Sequence, residues 1–424
     1  MTQRRLWIAV AVALATALAT FLVLNLAGPD RQVTEDISHR YDIDSPQFRR
    51  EMGVLLGPSV VTGNAIEDLQ NGDEIFPAML GAIAAAEETI TFETFVYWSG
   101  DIGRQFAEAL AAKARDSVAV HVLVDWVGGK MEDASVAEME DAGVKFYRYR
   151  PLEWYSLGRL NNRTHRKILV VDGRLGFTGG VGIADEWAGD AQDPDHWRDA
   201  HFRIEGPVVA QLQAAFLDNW IETTGQVLNG PGYFPPLDSV GTTAAQVFTA
   251  SPAGGSDSMR LMYLMAIAAA ERTIDLSAAY FVPDDLILGA LVDARQRGVR
   301  VRIVLPGEHI DSELVSISSK KTWGPLLAAG ATIAEYTPTM YHTKMLIVDG
   351  VLTSVGSTNF DIRSFELNDE ASLNLYSPAF AARMTRIFEA DLANADPYTY
   401  EEWVNRPWTA KFAETVLEPI KSQL

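Results

Sequence analysis

The sequence predicts an α/β protein built of two duplicated lobes, each a mixed β-sheet flanked by helices, related by pseudo-twofold symmetry and preceded by an N-terminal transmembrane helix. Three observations predict it. An Ala-rich stretch, AIAAAEETI (82–90), returns as AIAAAERTI (266–274), and the two differ only at Glu88 and Arg272. Each copy ends a helical pattern and runs into strand-like residues, TFETFVYW in one case and DLSAAYFV in the other. Strand–helix alternation of this kind argues α/β layering. A His-x-Lys segment then closes each half, at an offset of 177 residues from His165 to His342, against 184 from Ala82 to Ala266. Solenoids repeat at shorter periods, so the pattern is a duplication.

Taken in order, residues 6–27 are an almost unbroken apolar segment that includes Trp7 and follows Arg4 and Arg5. At 1.5 Å per residue the segment is long enough to span a hydrocarbon core. A cleaved signal peptide is the alternative, but the apolar run is long for one and Asn25-Leu26-Ala27 is a poor cleavage site. The expectation is an uncleaved, single-pass anchor in the cell membrane. Asp30, Glu35 and Asp36 follow it, which puts the N-terminus in the cytoplasm and the body outside. After an anchor at 1–30, residues 31–55 are polar and mixed and read as a linker. The first lobe covers 56–235 and the second 236–397. In each, a second helical pattern ends in an alternating strand, VAVHVLV (118–124) or VRVRIVL (299–305). AGVKFYRYRP (142–151) or AGATIAEYTP (329–338) then precedes the His-x-Lys segment. The tail, 398–424, is helical, with Trp403, Trp408, Phe412, Val416, Ile420 and Leu424 at mostly four-residue spacing. That stripe could lie in a membrane surface with Lys411 and Lys421 snorkelling. Glu414 and Glu418 dilute its basic face, so packing against the body is the expectation.

Composition narrows the chemistry. The chain of 424 residues has no cysteine, which excludes disulfides, thiolate metal sites and a Cys nucleophile. Its net charge of −21 lacks the basic footprint of a nucleic-acid binder. A local pair of lysines can still hold one phosphodiester, whereas a long polyanion is repelled by the whole field.

The informative stretch is THRKILVVDGRLGFTGG (164–180), repeated as YHTKMLIVDGVLTSVGSTN (341–359). Each reads as a buried strand entering an Asp-Gly hairpin. On a strand, His165 and Lys167 project from one face, as do His342 and Lys344. Asp172, at odd parity and in the turn, anchors structure, and so does Asp349. An imidazole beside an ammonium, backed by glycines, suits a phosphate. His39, His121 and His309 read as ordinary core or surface histidines. His196 and His201 fit no zinc spacing, so no metal and no cofactor are called for.

The doubled H-x-K-x4-D pattern, with Gly-Gly or Gly-Ser beyond it, resembles the HKD motif of the phospholipase D superfamily. More closely, the chain is similar to bacterial cardiolipin synthases over roughly 60–395, through FETFVYWSG, NNRTHRK, DHWRDAHFRIEGP, AAYFVP and GSTNFDIRSFELNDE. The resemblance implies a catalytic set of His165, Lys167, Asp172, His342, Lys344 and Asp349. It implies phosphate contacts from Gly180, Ser357 and Asn359, and pocket aromatics Tyr97, Trp98 and Tyr280. By the family's pattern His165 is the nucleophile that forms a phosphohistidine, and His342 is the acid. Asp199 is expected to orient His165, and Glu370 to orient His342. Where many relatives carry an Asn matching Asn359, this chain has Gly182. The implied reaction joins two phosphatidylglycerol molecules into cardiolipin and glycerol, in a single chain competent as a monomer, with membrane phospholipids as partners and no nucleic acid. Hydrolysis to phosphatidic acid is the alternative, ahead of a nuclease or an inactive membrane scaffold.

Overall fold

The computed structural model describes residues 3–26, 33–151, 161–251 and 257–423, without the side chains of 21–26, 420 and 422. A 16-stranded mixed sheet runs through the body. Its centre is the antiparallel contact between Val61–Gln70 and Thr243–Ala250. Outward from Val61–Gln70 lie Ala200–Glu205, Leu175–Gly179, Ile168–Val171, Thr89–Thr94, Ala119–Asp125 and Lys145–Tyr149. Outward from Thr243–Ala250 lie Asn368–Tyr376, Leu352–Gly356, Met345–Val348, Thr273–Ser277, Arg300–Pro306 and Thr332–Tyr336, with Ala395–Tyr398 at the edge. On both sides the last three strands of these six are mutually parallel. Their parallel connections need crossovers, which helices such as Asp101–Arg115 and Asp285–Gln296 supply.

The Ala-rich repeats end the helices Asn71–Ala85 and Ser258–Ala269, as their spacing predicts. Between the halves the core is shared: Leu123, Phe202 and Trp220 pack in one cluster with Val355, Leu373 and Met384. Continuous apolar contact across the seam holds the two sides in one register, which the site requires.

The structure departs from the sequence reading ahead of the first lobe. Within 31–55 lies the helix Pro46–Leu55, started by Ser45, whose side chain accepts from the Gln47 N–H. Its Phe48 and Met52 are fully buried against the second half, so two apolar residues four apart dock a stretch whose composition reads as linker. The N-terminal apolar segment forms the helix Gln3–Leu26. Among the described residues no helix is long and apolar enough to cross a membrane. Ala27, Asp30 and the side chains of 21–26, on which the anchor reading also draws, lie outside the described residues, as do Leu424 and the side chain of Ile420.

Candidate active site

Each His-x-Lys segment lies just ahead of its strand rather than within it, and crosses to the other half. Arg163–Thr164 pairs in parallel with Asn368–Asp369, and the His165 N–H donates to the Asp369 carbonyl at 2.8 Å. Arg198 bridges Tyr341, and the His342 N–H donates to the Arg198 carbonyl, also at 2.8 Å. The residue after each acceptor is a carboxylate. This crossing decides the histidine partners and corrects the assignment made from the sequence. Glu370 faces His165, with Oε1 2.9 Å from Nδ1, and Asp199 faces His342, with Oδ2 2.6 Å from Nδ1. A carboxylate accepting from Nδ1–H fixes the tautomer and leaves Nε2 as the atom available for chemistry.

Both carboxylates are themselves held. Asp199 accepts from the Trp187 indole at 2.9 Å and from the Ala200 N–H at 2.8 Å. Glu370 accepts from the Ser357 hydroxyl. The Lys167 ammonium donates to the His165 carbonyl at 3.0 Å, and Lys344 donates to the His342 carbonyl at 2.7 Å. Lys344 also lies 3.0 Å from the nitrogens of the His342 ring. Phe95 packs edge-on to His165, while Trp187 and Trp197 pack against His342.

Burial sets the electrostatics. It pushes His165 down to about 4, against the pull of Glu370, and His342 down to about 3, with Lys344 adding to the effect. Burial likewise lowers Lys167 to about 7 and Lys344 to about 8. Lys344 bears on Lys167 and Lys167 on His342, so the two motifs share one electrostatic environment. Burial disfavours both ammoniums although the ionised Glu370 and Asp199 pull the other way, and an anion brought in beside them favours their charged forms. Such a cluster can bind a phosphate and offer it one nitrogen nucleophile and one proton carrier.

Other assignments move. Asp172 spends its carboxylate on the backbone N–H groups of Glu87, Glu88 and Thr89. Asp349 does the same for Glu271, Arg272 and Thr273. Both are turn anchors, as their parity implies, and their place in the catalytic set is withdrawn. Gly180 is not a phosphate donor: its N–H donates to the Ala200 carbonyl. A Cβ there would fall 2.1 Å from Asp199 Oδ1, so the glycine makes room for that carboxylate. Ser357 serves Glu370, whereas the buried amide oxygen of Asn359 has no hydrogen-bond partner among the described residues. Gly182 stands where Val96 and Trp187 leave no room for an Asn side chain.

Tyr97 is core, its hydroxyl donating to the Gly103 carbonyl. Trp98 lines a separate cavity of about 430 Å³ with Ser99, Asp101 and Asp185. Tyr280 donates to Asp311, whose charge reaches Lys344. Sequence reasoning missed Phe95, Trp187 and Trp197. It also missed Arg166, the middle residue of the first motif, which is fully buried and donates to the Ala215 carbonyl at 2.6 Å and to Asp218 at 2.9 Å. The nearest signal was the clustering of Trp187 and Trp197 around the Asp199 segment.

Comparison with known proteins gives consistent results. A family profile described as "Cardiolipin synthase, PLD-like domain" matches residues 263–392. The chain is 36% identical over 352 residues to a cardiolipin synthase of Geobacillus kaustophilus, covering 82% of this chain and 70% of that one. It is 31% identical over 364 residues to the major cardiolipin synthase of Bacillus subtilis, covering 84% of this chain and 75% of that one. Among solved structures, a phosphatidylserine synthase of Haemophilus influenzae superposes with a TM-score of 0.69 at 13% identity, covering 89% of this chain and 98% of that one, a likeness of fold.

Proposed function

Because the chain belongs to the cardiolipin synthase family of phospholipase D-like enzymes, we propose that it is a phosphatidyltransferase that makes cardiolipin from phosphatidylglycerol in two steps. Nε2 of His165 attacks the phosphorus of the first lipid, forming a phosphatidyl-histidine as the bond to glycerol breaks. His342 gives glycerol its proton. The free hydroxyl of a second phosphatidylglycerol then gives a proton to His342 and attacks the phosphorus, releasing His165 and completing cardiolipin. Lys167 and Lys344 neutralise the non-bridging oxygens. The phosphate's own charge raises the proton affinity of His342, which burial otherwise keeps low.

The observation that carries this reading is the crossed support of the two imidazoles, His165 by Glu370 and His342 by Asp199. One chain supplies every group, which supports a catalytically competent monomer. The matching strand orders on the two sides of the sheet support lobes at 56–235 and 236–397 as copies of one unit. The apolar run from residue 6 supports a single-pass membrane anchor at 1–30, with a cytoplasmic N-terminus; 31–55 follows it as part of the body, and 398–424 is a helical tail.

The test is product analysis by mass spectrometry from the purified full chain in phosphatidylglycerol vesicles containing EDTA and no nucleotide. Equal amounts of cardiolipin and glycerol are expected. Phosphatidic acid alone would sink the synthase and leave a phospholipase D, in which water takes the place of the second lipid. With His342→Ala and a p-nitrophenol phosphodiester, whose leaving group needs no proton, the phosphoryl group should be trapped on His165; a trapped adduct at any other residue overturns the assignment of the nucleophile.

A further inference from the structure

The C-terminal helix Trp408–Leu417 leaves its apolar stripe uncovered. Trp408 is 76% exposed, Phe412 63% and Val416 58%, and residues four apart share a helix face. The expectation that this stripe packs on the body holds for Trp403 and fails for Trp408, Phe412 and Val416, and the reason is where the acids go. Glu414 is buried and paired with Arg406 at 2.7 Å. Glu418 pairs with Lys321 at 2.7 Å and with Lys421 at 2.8 Å. Glu414 is thus turned inward and Glu418, half-buried, is neutralised by two lysines, and the outward face keeps Trp408, Phe412 and Val416.

The helix is tied to the body on both sides. Just before it, the Trp403 indole donates to the Lys320 carbonyl at 2.7 Å. Just after it, the Gln423 carbonyl accepts from Arg363 at 3.0 Å, and its side chain accepts from Asn161. Asn161 lies four residues before His165, and Arg363 four after Asn359. The exposed stripe is therefore tied to segments that enter and leave the active site.

We infer that this stripe is a membrane-docking face, which seats the helix in the interfacial layer of a bilayer and holds the active site against the surface that carries its lipids. The inference rests on the phospholipid substrate proposed above. A continuous bilayer fits because its interface takes an amphipathic helix lying flat, with a Trp at its edge and few charges outward. The net charge of −21 opposes approach to anionic lipid, so this contact is apolar and withstands salt.

The chain has no cysteine, so Val416→Cys places a single environment-sensitive fluorophore. In the full chain reconstituted in phosphatidylglycerol vesicles, the label should shift to the blue and be quenched by nitroxide-bearing lipids, equally at low and at 0.5 M salt. A label on Glu108→Cys, on an exposed part of the body, should do neither. Trp408→Ser/Phe412→Ser should lower turnover on vesicles by at least about tenfold, with turnover of short-chain monomeric phosphatidylglycerol unchanged. A water-exposed label at 416 overturns the inference, as does full vesicle activity in the double variant. A blue shift without lipid, accompanied by disulfide dimers of unlabelled Val416→Cys, overturns it in favour of a second copy. If neither form of the enzyme makes cardiolipin from either substrate, the function proposed above fails, while the label still reports where the helix lies.

Discussion

Glu370 and Asp199 stand behind different imidazoles, and the leaving group separates their effects. With a p-nitrophenol phosphodiester, departure needs no proton, so kcat/KM of His342→Ala and Asp199→Asn, set by formation of the phosphohistidine, should be nearly spared while their kcat falls. His165→Ala and Glu370→Gln should each lose about 10²–10⁴-fold in kcat/KM. If Glu370→Gln follows His342→Ala instead, the crossed pairing has no functional meaning. The lysines set an alkaline limb. In the proposed mechanism their protonated forms hold the phosphate, and burial lowers them to about 7 and 8, so kcat/KM for a soluble phosphodiester should fall as pH rises through that window. Lys167→Arg keeps its charge to higher pH and should move the fall upward; a pH profile identical to wild type would remove Lys167 from the limb. The types and spacing of these residues were legible in the sequence. Their partners were not, because each half carries one His and one carboxylate downstream, and pairing within a half reads the same as pairing across.

At the scale of elements, the two Asp-Gly hairpins hold the motif strands against the ends of the Ala-rich helices. Asp172 and Asp349 take backbone φ of 52° and 54°, with positive φ at Gly173 and Gly350 as well. Removing a carboxylate that accepts three backbone N–H groups leaves those donors unpaired. Asp349→Ala should cost about 2–3 kcal/mol of stability by denaturant titration, with kcat of the folded fraction unchanged. A large kcat loss at unchanged stability would return Asp349 to the catalytic set. Parity placed these residues in the turn, and Asp-Gly named the hairpin. The strand read over His165 and His342 begins only after each lysine, since the histidine backbone bonds to the opposite half, a partner no local pattern reveals. The tail shows the same limit: its stripe was visible as periodicity, but not the inward turn of Glu414.

For the whole molecule, the packed body starts near Val33, whose N–H donates to Asp257 at 2.8 Å. Deleting residues 1–30 should therefore leave Tm and turnover of monomeric lipid unchanged, while weakening retention on vesicles. A fall in Tm of more than a few degrees would mean that the first helix packs on the body. What the sequence determined by itself was whatever repeats or alternates locally: the α/β class, the duplicated landmarks, both His-x-Lys segments and the turn aspartates, because helix and strand periods and hairpin chemistry act over a few residues. Tertiary structure alone decided which carboxylate serves which histidine, why Gly180 must be glycine, which aromatics wall the site and which face of the tail stays bare. Those depend on contacts between residues far apart in the chain, brought together only when the shared core locks the two sides of the sheet in register.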